Sequence, residues 1–248
     1  MKLICVSSER EMSLEASRLI AAIVRARPDA VLGLATGSTP VGTYNELARM
    51  CHEENLDFSR VRTVNLDEYI GLDGSHPQSY RFFMMEYLFS RINISPANTF
   101  VPNGLAQDLE RECRDFDELL EGLGLADLQL IGIGPNGHIG FNEPADYFTP
   151  QFHCTALTEE TINANCRFFD SRDEVPRHAI TMGMRGIMSA RRLLFLANGK
   201  KKARAVAEAC FGPVTPRVPG SIIQLHPDVT VIADREALSE TSLFEEVE

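Results

Sequence analysis

The chain has 248 residues, 44% of them hydrophobic and 24% charged, with a formal net charge of -11. That composition suits a globular domain with a sizeable core, and the negative charge argues against nucleic acid or an anionic membrane surface as partner. No apolar run approaches the roughly 20 residues needed to cross a bilayer.

Residues 2–6 predict a first strand rather than a leader, followed by a helix over 12–26. Residues 30–35 predict a strand and 40–51 a helix, on which Tyr44, Leu47, Ala48 and Cys51 share one face at i, i+3, i+4 and i+7. A strand at 62–66 and a helix near 78–89 come next, then a helical 107–120 and a strand at 128–133. The last elements are a strand at 192–197, a helix from 200 to 210 and a strand at 229–233. Such alternation implies an α/β fold over residues 1–248. The expected form is an open, mostly parallel sheet with helices on both faces, a Rossmann-like three-layer arrangement. Cys5, Cys51, Cys113, Cys154, Cys166 and Cys210 make no Cys-x-x-Cys pair. Reduced thiols in a cytoplasmic setting are the expected state.

Ligands of open parallel sheets bind beyond the carboxyl ends of the strands. Four polar motifs follow four predicted strands here, so they should gather on one edge. The first is Gly33-Leu-Ala-Thr-Gly-Ser-Thr-Pro40. Thr39 suits the N-cap and Pro40 the first helical position, and free N–H groups at a helix start make an anion site. The candidate substrate contacts are Thr36, Gly37, Ser38 and Thr39. No Gly-Lys-Ser/Thr ending follows, so a small phosphate ester fits better than a nucleoside triphosphate. Arg167 and the Lys200-Lys201-Lys202 run, the fourth motif, which follows the predicted strand at 192–197, can supply cations.

The second motif is Asn65-Leu-Asp-Glu-Tyr69. Neighbouring side chains on an extended segment point to opposite sides, so Asp67 or Glu68, not both, faces a given site. A carboxylate there can act as a general base, and the residues alone do not choose between the two. The third motif is Ile131-Gly-Ile-Gly-Pro-Asn-Gly-His-Ile-Gly-Phe-Asn-Glu-Pro144. Its Gly132-x-Gly134-x-x-Gly137 matches the dinucleotide fingerprint formally, with Glu159 and Glu160 about 20 residues on. Pro144, Pro150 and Gly140 deny it the helix that fingerprint requires. What remains is His138 with Asn136 and Glu143 close by, a proton shuttle with groups that fix its tautomer. No nucleophile elbow or His-Glu-x-x-His spacing is present, so neither a metal nor a nucleophilic serine is expected. Taken singly, each motif also reads as an ordinary structural turn.

Together they resemble the glucosamine-6-phosphate deaminase family, through Leu32–Pro40, Asn65–Leu72, His76-Pro-Gln-Ser-Tyr80, Ile131–Pro144 and Ser221-Ile-Ile-Gln-Leu-His-Pro227. The resemblance implies conversion of D-glucosamine 6-phosphate and water to D-fructose 6-phosphate and ammonia, without a cofactor. It implies that Asp67 removes the C2 proton, that His138 opens the pyranose ring, and that Glu143 orients His138. Phosphate contacts carry over to Ser38, Thr39, Arg167 and Lys202, the lysine register being uncertain by one residue. Residues 158–175 are similar to the family's mobile lid. The expected partner is a small sugar phosphate, and a homo-oligomer is compatible with the reading.

Two departures from the family's allosteric members stand out. Asn136 occupies a position where many carry Asp, so the third member of the relay is a neutral amide. His153 and Thr155 stand where the resemblance expects activator-binding cations, which implies an enzyme not activated by N-acetylglucosamine 6-phosphate. The rival enzyme reading is 6-phosphogluconolactonase, against which Phe141-Asn-Glu-Pro144 and Asn65-Leu-Asp-Glu-Tyr69 speak. A non-catalytic sugar-phosphate sensor is the rival from another class, and the presence of Asp67, His138 and Glu143 together speaks against it.

Overall fold

Strand β1 (Lys2–Val6), helix α1 (Glu9–Ala26), β2 (Val31–Leu34), α2 (Val41–Glu53) and β3 (Arg62–Asn65) follow one another as the alternation predicts in the computed structural model, which describes residues 1–241. Then come β4 (Asp67–Tyr69), α3 (Tyr80–Tyr87), β5 (Thr99–Phe100), α4 (Leu109–Leu123) and β6 (Leu128–Gly132). The remainder is β7 (His153–Ala156), α5 (Glu159–Asn165), β8 (His178–Thr181), α6 (Met184–Met188), β9 (Leu193–Ala197), α7 (Ala203–Phe211) and β10 (Val229–Asp234). Residues 242–248, the end of the expected domain, lie outside the described residues.

Seven strands form one sheet in the order β1-β10-β9-β6-β2-β3-β5, with every pairing parallel. β2 and β9 are buried along their whole length, the pattern of strands covered on both faces. The connections from β1 to β2 and from β2 to β3 step one way across the sheet, while β9 to β10 steps the other way. Right-handed crossovers therefore place α1 and α2 on one face and α7 on the opposite one, and α1 does pack on α2.

Local sequence explains these helices. The Ser8 hydroxyl accepts the Glu11 N–H at 3.2 Å and starts α1. Met12, Ala16, Ile20 and Val24, each four residues on from the last, form its buried stripe. In α2 the predicted Tyr44, Leu47 and Ala48 are buried, and the Tyr44 hydroxyl donates to the Ala35 carbonyl at 2.5 Å. That bond pins the start of the loop after β2.

A second sheet, antiparallel and ordered β4-β8-β7, was not anticipated. Its strands are three or four residues long, and the fully buried β4 is Asp-Glu-Tyr, which carries no apolar alternation to read. Only Leu66 separates β3 from β4, so the chain leaves the large sheet and enters the small one at the rim. A separate apolar cluster of Tyr69, Phe141, Leu157, Ile162, Val175 and Ala179 lies over this corner. Among the described residues no helix is long and apolar enough to cross a membrane.

Candidate active site

From β2 the chain moves outward to β3, and later returns to lay β6 against the other side of β2. Loops leaving β2 and β6 therefore diverge toward opposite faces and open a crevice beyond the strand ends. That crevice, of about 440 Å³, is lined by Thr36, Gly37, Ser38, Thr39, Asp67, Tyr80, His138, Thr161, Arg167 and Lys202 among others.

The loop after β2 needs Gly37, whose φ of 96° lies in the left-handed region. The expected cap is displaced by one residue. Pro40 is itself the N-cap, without a side-chain cap bond, and the helix begins at Val41. Thr39 lies one residue before that cap, and its hydroxyl instead donates to Asn198 Oδ1, 3.0 Å away just after β9. Ser38 remains exposed in the crevice.

β4 resolves the Asp67–Glu68 ambiguity geometrically. Glu68 turns to the start of α3, where Oε1 accepts the Tyr69 and Tyr80 N–H groups, each at 2.8 Å, and Oε2 accepts that of Arg81 at 2.9 Å. It holds a helix N-terminus and does not line the crevice. Asp67 points the other way and does line it, although only 5% exposed. Burial, with the Glu68 charge beside it, pushes the Asp67 carboxyl well above the usual carboxylate range.

The loop after β6 is tightly folded. Gly137 (φ 87°) and Gly140 (φ 56°) take left-handed conformations. A side chain at Gly134 would collide with the His138 imidazole, so that glycine gives the ring its seat. The Gly134 N–H donates to the His138 carbonyl at 2.9 Å, and the Gly220 N–H, in the Val218–Leu225 stretch, donates to the Gly137 carbonyl at 2.8 Å. The second contact places Gly220, immediately before the Ser221-Ile-Ile-Gln-Leu-His-Pro227 motif, against this loop.

Behind the imidazole stands a relay. His138 Nδ1 lies 3.4 Å from Glu143 Oε2, and Asn136 Nδ2 donates to that same oxygen at 2.8 Å. Asn136 Oδ1 accepts the His138 backbone N–H at 3.2 Å. Burial alone would raise the Glu143 carboxyl, but His138, Thr161 and Asn136 outweigh it and bring it to about 2. Glu143 and Asn136 thus sit behind His138, and only the histidine of the three lines the crevice.

Two threonines, absent from the sequence-based candidates, complete the relay. Thr161 Oγ1 is 3.3 Å from His138 Nδ1, and the Thr158 N–H reaches Glu143 Oε1 at 3.4 Å. Both lie at the start of α5, where Thr158 caps the helix through the Thr161 N–H. Thr158 followed by Glu159 and Glu160 is a visible helix-start signal, but nothing in it points toward His138. Tyr80, from the His76-Pro-Gln-Ser-Tyr80 motif, also lines the crevice, and its ring stacks on Phe141 at 5.7 Å.

The cations also open onto this crevice. Lys202 is half-buried and donates to the Ile133 carbonyl at 2.6 Å. Burial first, and then the nearby Arg167 charge, lowers it to about 8. Lys201 also reaches the crevice and Lys200 does not. Arg167, in the turn after α5, lies against the Phe168 ring at 4.6 Å. Of the remaining histidines, His226 is structural: it is buried and bridges the Ala190 carbonyl and the Asp228 N–H.

Such a crevice is built for general acid–base chemistry on a small anionic molecule, and that is the class of protein the fold and site define. The chain belongs to the family described as glucosamine-6-phosphate isomerases/6-phosphogluconolactonase, which matches residues 8–232. It is 53% identical over 239 residues to a glucosamine-6-phosphate deaminase of Halothermothrix orenii, covering 96% of this chain and 99% of that protein. A solved monomeric glucosamine-6-phosphate deaminase superposes with a TM-score of 0.95 at 48% identity, covering 96% of this chain and 99% of that one. A solved 6-phosphogluconolactonase from Leishmania guyanensis has a TM-score of 0.74 at 19% identity, covering 95% and 97%. At that identity the lactonase shares the fold alone.

Proposed function

We propose that the chain is a glucosamine-6-phosphate deaminase, converting D-glucosamine 6-phosphate and water to D-fructose 6-phosphate and ammonia. The observation that carries this reading is the shared crevice: a proton-hungry Asp67, the His138 relay and the Lys202–Arg167 end all open onto one volume. Relatives of the same length at about half identity carry that activity in their names, whereas the lactonases are distant.

The chemistry follows from the placement. The phosphate is held between the N–H groups and hydroxyls of residues 36–39 and the cations Lys202 and Arg167, which offset the net charge of -11 locally. Binding energy from this remote group orients the reacting end of the sugar. His138, with Nδ1 turned to Glu143, has Nε2 free to move a proton from the anomeric hydroxyl to the ring oxygen and open the ring. Asp67, ionised but poorly solvated, then takes the C2 proton. Returning it toward C1 converts the amino aldose to a 2-imine, and attack of water at C2 releases ammonia. Thr158 and Arg167 both belong to the segment 158–175, and its closing over the sugar would bring Arg167 to the phosphate.

Every residue in this scheme comes from a single chain, so the site needs no second copy. His153 and Thr155 offer no fixed positive charge for a second anion, and the saturation curve should be hyperbolic, with or without N-acetylglucosamine 6-phosphate. The direct test is to incubate the purified protein with glucosamine 6-phosphate and measure ammonium and fructose 6-phosphate together. Equal amounts of both support the reading, and neither product from a folded sample would end it.

A further inference from the structure

Away from the crevice, the described residues bring two cysteine sulfurs together at one place: Cys113 Sγ on α4 and Cys154 Sγ on β7 are 3.9 Å apart, and both are free thiols. The joint that holds them is well built. Cys113, Phe116 and Asp117 share one face of α4 at i, i+3 and i+4. Phe152 and Cys154 share one side of the extended chain at i and i+2. The Phe116 and Phe152 rings pack at 5.3 Å, and the Phe152 N–H donates to both Asp117 oxygens at 3.2 and 3.3 Å. The register of the two sulfurs is therefore set by neighbours on both elements, not by a loop that happens to pass. A disulfide needs an S–S length of about 2.0 Å, so closure asks for a sulfur movement of roughly 2 Å, within the reach of side-chain rotation and a small backbone adjustment.

We propose that Cys113 and Cys154 form a redox-modification site, closing a reversible disulfide by exchange with a low-molecular-weight disulfide such as oxidised glutathione. The two residues divide the work by exposure. Cys154 lies exposed on the edge strand of the small sheet, while Cys113 is buried beneath it. The Cys154 thiolate attacks one sulfur of oxidised glutathione, forming a mixed disulfide and expelling one glutathione thiolate. Cys113, deprotonated, then attacks the Cys154 sulfur and expels the second glutathione. Two protein thiols lose two electrons and two protons, and the glutathione disulfide is reduced to two thiols. Burial, and then the Cys154 thiol next to it, holds the Cys113 thiol above its ordinary range. The second of these causes disappears once Cys154 is capped, which favours the resolving step over the initial attack. Cys5 is also exposed, but among the described residues no sulfur contact to it is found, so its reaction stops at the mixed disulfide.

The test treats the reduced full-length protein with oxidised glutathione, quenches with an alkylating agent and maps peptides without reduction. A cross-linked peptide pair containing Cys113 and Cys154 is expected, with the two alkylatable thiols restored by dithiothreitol. The Cys113→Ser variant should arrest with glutathione on residue 154, and Cys154→Ser should leave Cys113 reduced. Since the bond closes a long loop of the unfolded chain, the oxidised wild type should also melt at a higher temperature than the reduced protein, a difference absent from both variants. Recovery of wild-type Cys154 as a stable glutathione adduct beside a free Cys113, or of a disulfide joining another pair, would overturn the proposal.

Discussion

The Asp67 carboxylate accepts no hydrogen bond from any described residue, so burial and the Glu68 charge raise its proton affinity unopposed. A base that is expensive to ionise gains more by taking a proton than a solvated carboxylate does. Asp67→Asn should therefore lower kcat by about 10²- to 10⁴-fold and leave KM within a few-fold, since the phosphate is held elsewhere. Exchange of the sugar C2 proton with solvent deuterium, followed by NMR, checks the step directly; exchange at the wild-type rate would show another base. Thr161 acts through another group and is a positioning residue. Thr161→Val keeps its shape and removes the hydroxyl beside His138 Nδ1, so kcat should fall about 5- to 10-fold, as for one lost hydrogen bond. The limb of the pH–rate profile set by the relay should move with it, which a packing defect would not cause. His138 and Glu143 were candidates because chemistry-bearing residues follow a strand, while Asp67 stood beside Glu68 as an alternative until the family resemblance favoured it. Thr161 was hidden because its partner is 23 positions away and the connection exists only once α5 folds over the loop.

At the scale of elements, α3 shows how a catalytic neighbour can serve as scaffold. Ser79 caps the helix through the Phe82 N–H at 3.0 Å, and Glu68 receives the N–H groups of Tyr80 and Arg81. Together they satisfy donors that otherwise have no intrahelical partner. Because Glu68 and Asp67 are adjacent in β4, the same anchor fixes the direction of Asp67. Glu68→Gln keeps one acceptor oxygen and loses the charge, and Glu68→Ala loses both. We expect unfolding free energies to fall in the order wild type, Gln, Ala, with the alanine variant down by about 1–3 kcal/mol, read from urea midpoints. Six of the seven parallel strands were legible as short, mostly apolar runs between helical patterns, whereas β5, only Thr99–Phe100, is too short to show a pattern. The β4-β8-β7 sheet was not legible, since its strands owe their pairing to the chain leaving β3 rather than to any period of their own. The expected Thr39 cap was off by one residue because the helix starts at Val41 rather than at Pro40, and the partner its hydroxyl does find, Asn198, is 159 positions distant.

For the molecule as a whole, the site's two principal carboxylates pull stability in opposite directions with pH. The folded Asp67 titrates above the roughly 3.9 of an unfolded aspartate. Its contribution is therefore fully present below about pH 4 and is lost as pH rises through the folded value. Glu143 is the reverse. Held at about 2 against roughly 4.3 unfolded, it contributes fully above pH 4.3 and loses that contribution as pH falls through 2. Asp67→Asn removes a group whose ionisation costs stability at neutral pH, so this slowed variant should melt above wild type at pH 8. The gain should shrink as pH is lowered toward 3, below the unfolded aspartate's range, where wild-type Asp67 is protonated in both states. Glu143→Gln should melt below wild type at pH 8, and its deficit should also shrink, but only further into acid. Differential scanning calorimetry of the three proteins between pH 3 and 8 separates these trends. Equal melting of wild type and Asp67→Asn across that range would mean that Asp67 is as well solvated as a surface carboxylate, and the argument for it as a poised base would fail with it.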